Sequence, residues 1–203
     1  MTGKRLLVFC LGVAAVSGGV AHADLVSNGG FETGDFSGWT VSGNGIAIDT
    51  VFPNTGCCDA VFTATSTDPN PGILSQSLTT MAGQSYVLDF AVLDEAGFSG
   101  DSFLVTFGGF MTTITGDNAA FPGNLPSGYT AESFTIPGAD IGGTSTTLSF
   151  EGLSDPVSGI AWNLDDVSVT AATEVPEPSA AALLGTALGM CLGLVAPMRR
   201  RRR

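Results

Sequence analysis

Nineteen acidic side chains lie between Asp24 and Glu177, and no Lys, Arg or His accompanies them. The seven basic residues are Lys4, Arg5 and Arg199 to Arg203, and the one histidine is His22. Chemistry in the middle of the chain therefore rests on carboxylates. A Ser-His-Asp triad or a Cys-His pair is excluded there. So are histidine-held metals, a Schiff-base lysine and an arginine clamp on phosphate. Two kinds of site survive. A carboxylate pair could cleave a glycosidic bond, with Asp94, Glu95 and Asp101 close in sequence. Carboxylates and carbonyls could instead bind a hard cation such as calcium. The formal charge of −12 argues against nucleic acid, because a polyanion needs a basic surface.

Cys57 and Cys58 are adjacent, whereas Cys10 and Cys191 sit in apolar stretches near the two ends. In an oxidising compartment the adjacent pair could close a vicinal disulfide that fixes a tight turn. It could instead pair between two molecules, or stay reduced.

The elements that must position these groups read as β structure. Tyr86, Leu88, Phe90 and Val92 alternate onto one face, as do Phe103, Val105 and Phe107, and Thr146, Leu148 and Phe150. Gly108-Gly109 predicts a turn into a partner strand over 110–115. Further strands are expected at 38–42, 45–50, 59–65, 73–78, 130–136 and 160–170, with Gly, Pro, Asn and Asp between them. Nine or ten short strands over residues 24–170 predict an all-β, two-sheet sandwich.

The ends read as addresses. Lys4 and Arg5, an apolar run from Leu6 to Val20, and Ala21-His22-Ala23 form a signal-peptide pattern over residues 1–23. Residues 171–178 form a linker ending in Pro176-Glu177-Pro178. Residues 179–198 carry no charge and would span roughly 30 Å as a helix. Arg199, Arg200, Arg201, Arg202 and Arg203 follow and would stay on the cytoplasmic side of a membrane. This order of Pro-Glu-Pro, apolar helix and terminal arginines resembles the PEP-CTERM sorting signal. The resemblance covers about residues 175–203. It implies recognition by an exosortase-type enzyme, removal of the tail, and delivery to the cell surface or extracellular matrix of a Gram-negative bacterium.

A second resemblance spans roughly residues 26–170. Asn28-Gly29-Gly30-Phe31-Glu32 followed by Gly38-Trp39 resembles the opening of jelly-roll carbohydrate-binding modules, and Leu164-Asp165-Asp166-Val167-Ser168-Val169 resembles their closing strand. In such modules the first and last strands lie together and often hold a structural calcium. The resemblance implies that role for Glu32, Asp165 and Asp166. Alternation along a strand sends Asp165 and Asp166 to opposite faces unless the strand bulges, so one of the two is expected at the metal. Trp39, Tyr129 and Trp162 are the candidate sugar platforms. Trp39 and Trp162 also fit core positions, and Tyr129, beside a Pro/Gly loop, is expected to be the most exposed.

Together these features predict an exported, non-enzymatic surface or matrix protein whose partner is extracellular polysaccharide. A purely structural secreted protein is the alternative, and a carboxylate-dependent glycoside hydrolase or lyase a further one.

Overall fold

A computed structural model describes residues 23–95, 100–116, 128–154, 156 and 162–173. The chain divides into two units, Met1–Ala172 and Thr173–Arg203, and the sandwich lies in the first. Residues 1–22 of the expected signal peptide lie outside the described residues, as do Pro176, Glu177 and Pro178, the expected helix 179–198 and the arginine cluster.

Among the described residues ten strands follow in order: β1 (Thr40–Ser42), β2 (Ile46–Asp49), β3 (Asp59–Phe62), β4 (Ile73–Thr79), β5 (Tyr86–Asp94), β6 (Ser102–Phe107), β7 (Phe110–Thr115), β8 (Thr130–Ile136), β9 (Ser145–Leu153) and β10 (Trp162–Ala171). They form two five-stranded antiparallel sheets, ordered β1-β4-β9-β6-β7 and β2-β3-β10-β5-β8. Only β2–β3 and β6–β7 are sequential neighbours within one sheet. Every other connection carries the chain from one sheet to the other. The β6–β7 turn falls at Gly108-Gly109, with Phe107 paired to Phe110, as the sequence predicts.

Period-two alternation explains why the sheets stack. Phe103, Val105 and Phe107 on β6 are fully buried, and Leu104 and Thr106 between them are not. The facing sheet supplies Ala60 and Phe62 from β3, Leu88, Phe90 and Val92 from β5, and Trp162 and Leu164 from β10. Phe103 lies 5.3 Å from Phe62, 5.4 Å from Trp162 and 5.9 Å from Phe150, measured between ring centroids. These spacings suit edge-on and offset aromatic contacts, so a phenylalanine lattice packs the two sheets together.

Residues 24–31, ahead of β1, run beside β10. Leu25 N–H donates to the Val169 carbonyl at 2.9 Å, and Val167 N–H donates to the Gly29 carbonyl at 3.0 Å. A Cβ on Gly29 would lie 1.9 Å from the Val167 oxygen, so only glycine permits this approach. The opening and closing segments of the domain are thereby brought together.

Candidate functional site

The outer face of the second sheet should meet water, yet much of it is covered. On β10, Leu164 points into the core, so Asn163 and Asp165 point outward; both are fully buried. Asp59 on β3 points outward beside Ala60 and is also fully buried. Ala91 and Leu93 on β5 line the same face and are buried too. The β2–β3 loop, residues 50–58, supplies part of this cover.

That loop docks through its donors. Asp165 Oδ2 accepts the Asn54 N–H at 2.9 Å and the Thr55 N–H at 3.0 Å, while its Oδ1 accepts the Asp166 N–H at 2.7 Å. Asp166 accepts from Asn54 Nδ2 at 2.8 Å and from the Thr55 hydroxyl at 2.7 Å. Both carboxylate oxygens of Glu32 lie 3.1 Å from the Cys57 amide nitrogen. Gly56 makes this last contact possible. Its φ is +64°, and a Cβ there would lie 1.8 Å from Glu32 Oε1. Cys57 and Cys58 are joined as a vicinal disulfide, the intramolecular option of those open from the sequence, and it closes the loop just before β3.

The expectation that Asp165 and Asp166 diverge is corrected. The register between β10 and β5 shifts between Asp165 and Ser168, and Asp166 adopts a left-handed φ of 51°. This bulge swings Asp166 to the side of Asp165. Both Oδ1 atoms, at 3.6 and 3.7 Å, and Glu32 Cγ, at 3.7 Å, surround the point where Gly30 lacks a Cβ. The sequence-predicted acids therefore do converge. Their oxygens are answered only by neutral donors, and burial pushes the Asp165 carboxyl up to about 6 despite three backbone N–H groups. Carboxylate oxygens suit a hard cation. Among the described residues, however, no three His, Cys, Asp or Glu groups already stand in metal-holding geometry.

The tryptophans lie elsewhere, and the structure corrects the expectation of sugar platforms at these two positions. Trp39 stacks on Phe31 at 5.8 Å, donates its indole N–H to the Asn28 carbonyl, and is 8% exposed. Trp162 is 2% exposed, packs on Phe103 and donates to the Leu153 carbonyl. Neither ring offers a face to a ligand. Tyr129 is half-buried rather than open, and its hydroxyl donates to Asp59 Oδ2. Burial, then the Asp59 carboxylate, hold its phenol well above the usual range.

Sequence reasoning missed four residues. Asn54 and Thr55 bind the acids, and a loop Asn or Thr carries no signal of that. Asp59 was read only as the start of a strand, although an acid inside a covered sheet is a signal in itself. Phe52, 41% exposed beside the still more exposed Val51, is an uncovered aromatic on the loop that closes over Asp165.

No family model and no curated protein matches the chain. Solved structures do. The carbohydrate-binding module TmCBM61, determined in complex with β-1,4-galactotriose, superposes with a TM-score of 0.54 at 18% identity, covering 74% of this chain and 99% of that one. A family 16 carbohydrate-binding module superposes at 0.53 and 13% identity, covering 72% and 99%. The enzymatically active domain of bacteriophage CBA120 tailspike protein 4 superposes at 0.53 and 14% identity, covering 73% of this chain but only 21% of that one. The fold is a jelly-roll β-sandwich. In this jelly roll the carboxylates group at the junction of the opening segment, the closing strand and the β2–β3 loop.

Proposed function

We propose that this protein is an exported, non-enzymatic module that associates with extracellular polysaccharide. The observation that carries the reading is the pairing of an exposed aromatic, Phe52, with a carboxylate-lined junction that its own loop covers. A sugar offers C–H faces to an aromatic ring, and Phe52 stands exposed on the loop that the buried carboxylates anchor to the closing strand. Likeness to carbohydrate-binding modules supports the fold side of the reading. The absence of Lys, Arg and His between Asp24 and Glu177 supports a role without catalysis. The burial of both tryptophans favours a second reading, a structural secreted protein without a specific ligand.

Glu32, Asp165 and Asp166 are the residues that would hold calcium. The ion would supply charge neutralisation at the junction and lock the β2–β3 loop against the closing strand. The signal-peptide pattern and the Pro-Glu-Pro tail support export and exosortase-type processing, with the membrane engaged only before the tail is removed.

The test is retention of the protein on neutral and acidic polysaccharides at near-physiological salt, with calcium or with EDTA. Calcium-dependent retention that falls about tenfold in Phe52→Ala is the expected result. Equal non-retention in both conditions would leave the structural reading standing.

A further inference from the structure

We propose that the first sheet carries a saccharide site of its own, a cleft at the rim of β6 and β9 that takes a neutral, hydroxyl-rich chain. The proposal rests on the reading above for its class of ligand but not for its place, since Phe52 and the β2–β3 loop belong to the other sheet. The cleft has a volume of about 560 Å³, and Thr106, Gly108, Asp140, Gly142, Ser145 and Thr147 are among the residues that line it. Small-ligand sites span about 300–1,000 Å³.

Glycine shapes both walls, the β6–β7 turn and the segment 138–144. Gly108 has a φ of +62°, and a Cβ there would stand 2.3 Å from the Asp140 carbonyl oxygen. A Cβ on Gly109 would stand 2.9 Å from Asp140 Oδ1. Gly109 N–H donates to the Asp140 carbonyl at 2.9 Å, so the bare turn seats this acid and leaves its carboxylate uncovered. Across the cleft, a Cβ on Gly142 would meet nothing within 4 Å.

The polar groups divide into used and unused. Ser145 is bonded to Ser77, and Thr106 to Ser149, each at 2.7 Å. Among the described residues the Asp140 carboxylate, the Thr147 hydroxyl and the N–H groups of Gly142 and Gly143 have no partner, and all four residues line the cleft. A sugar presents their complement, since each of its hydroxyls donates one hydrogen bond and accepts others. No aromatic ring is among the lining residues, so hydrogen bonds rather than stacking hold the chain.

Charge selects among saccharides. Thr106, Ser145 and Thr147 also stand on the outer face of the sheet, where alternation turns Ser75, Ser77 and Thr79 of β4 outward. Glu151 is the one acid at the outward positions of these five strands, although the chain holds nineteen acids. A uronate chain would meet Asp140 and Glu151 with no basic side chain to balance it, whereas a neutral chain meets hydroxyls and suffers no repulsion.

The experiment is affinity electrophoresis of the full chain through native gels that contain galactan, xylan or β-glucan, with polygalacturonate as the acidic counterpart, each in calcium and in EDTA. Retardation in EDTA by at least one neutral polysaccharide is expected, weaker than in calcium and unchanged in Phe52→Ala. Asp140→Asn is expected to weaken it about tenfold, the worth of a hydrogen bond to a charged acceptor. Gly142→Trp fills the cleft from a position where a side chain meets no neighbour, and is expected to abolish it at an unchanged unfolding temperature. Retardation in calcium that Phe52→Ala removes and neither cleft substitution alters would overturn this site and leave the loop reading standing. Retardation that the cleft substitutions remove in both conditions and Phe52→Ala alters in neither would overturn the loop reading and keep this site. Polygalacturonate retarding more strongly than every neutral gel would overturn the ligand class, and no retardation by a neutral gel in EDTA would overturn the site.

Discussion

Asp165 makes the stability of this domain depend on pH in the direction opposite to that of a salt-bridged protein. Its carboxyl moves from an ordinary 3.8 to about 6, chiefly through burial. A raised folded-state value means that the folded chain holds this proton more tightly than the unfolded chain. The contribution is therefore full below 3.8 and is lost as pH rises through about 6. At about 1.4 kcal/mol for each tenfold change in proton affinity, the full span is about 3 kcal/mol. Between pH 7 and pH 5 the recovered part is about 1.3 kcal/mol, because at pH 5 the folded carboxyl is largely protonated and the unfolded one is not. For a domain of this size that corresponds to about 4 °C in unfolding temperature.

The assay is thermal unfolding followed by the fluorescence of buried Trp39 and Trp162, in chelator, at steps from pH 7.5 to 5. The unfolding temperature is expected to rise as pH falls, and Asp165→Asn is expected to flatten most of that rise. Calcium added at pH 7 is expected to reproduce the gain, since a cation and a proton relieve the same buried charge. A domain more stable at pH 7 than at pH 5 in chelator would refute the reasoning. A slope that Asp165→Asn leaves unchanged would show that the pH dependence belongs to other acids, with Asp59 and Glu95 the first to test.

Two further perturbations separate the junction from the core. Gly56→Ala forces a side chain into the Glu32 carboxylate at a left-handed φ, and is expected to cost about 1–3 kcal/mol in denaturant unfolding and to weaken calcium binding together with stability. Trp162→Ala removes a fully packed ring and is expected to cost about 3–5 kcal/mol, while the folded fraction keeps its calcium stoichiometry and its polysaccharide retention.

What the sequence disclosed and what it withheld divide along one physical line. Side-chain alternation is local, so the faces of β5 and β6 can be read from Tyr86 to Val92 and from Phe103 to Phe107, and the two-sheet sandwich follows from their number. Glu32, Asp165 and Asp166 were legible as a set through the two end motifs. Their convergence was not, because it needs a bulge and a left-handed Asp166, and neither residue type nor spacing encodes that turn. Pairing partners are also non-local. Asp49 and Asp59 look unremarkable ten residues apart, and become a repelling pair only once β2 and β3 align them. The tryptophans show the converse. A Gly-Trp after the opening motif and an alternating Trp162 fit burial and display equally well until the opposing sheet is present, and Phe31, Phe103 and Phe150 then claim their faces. A carboxylate-rich domain without basic side chains thus hides its chemistry in strand register. Where sheet pairing forces like charges together in such a domain, neutral N–H and O–H donors or a bound proton must answer them, because no basic side chain is at hand.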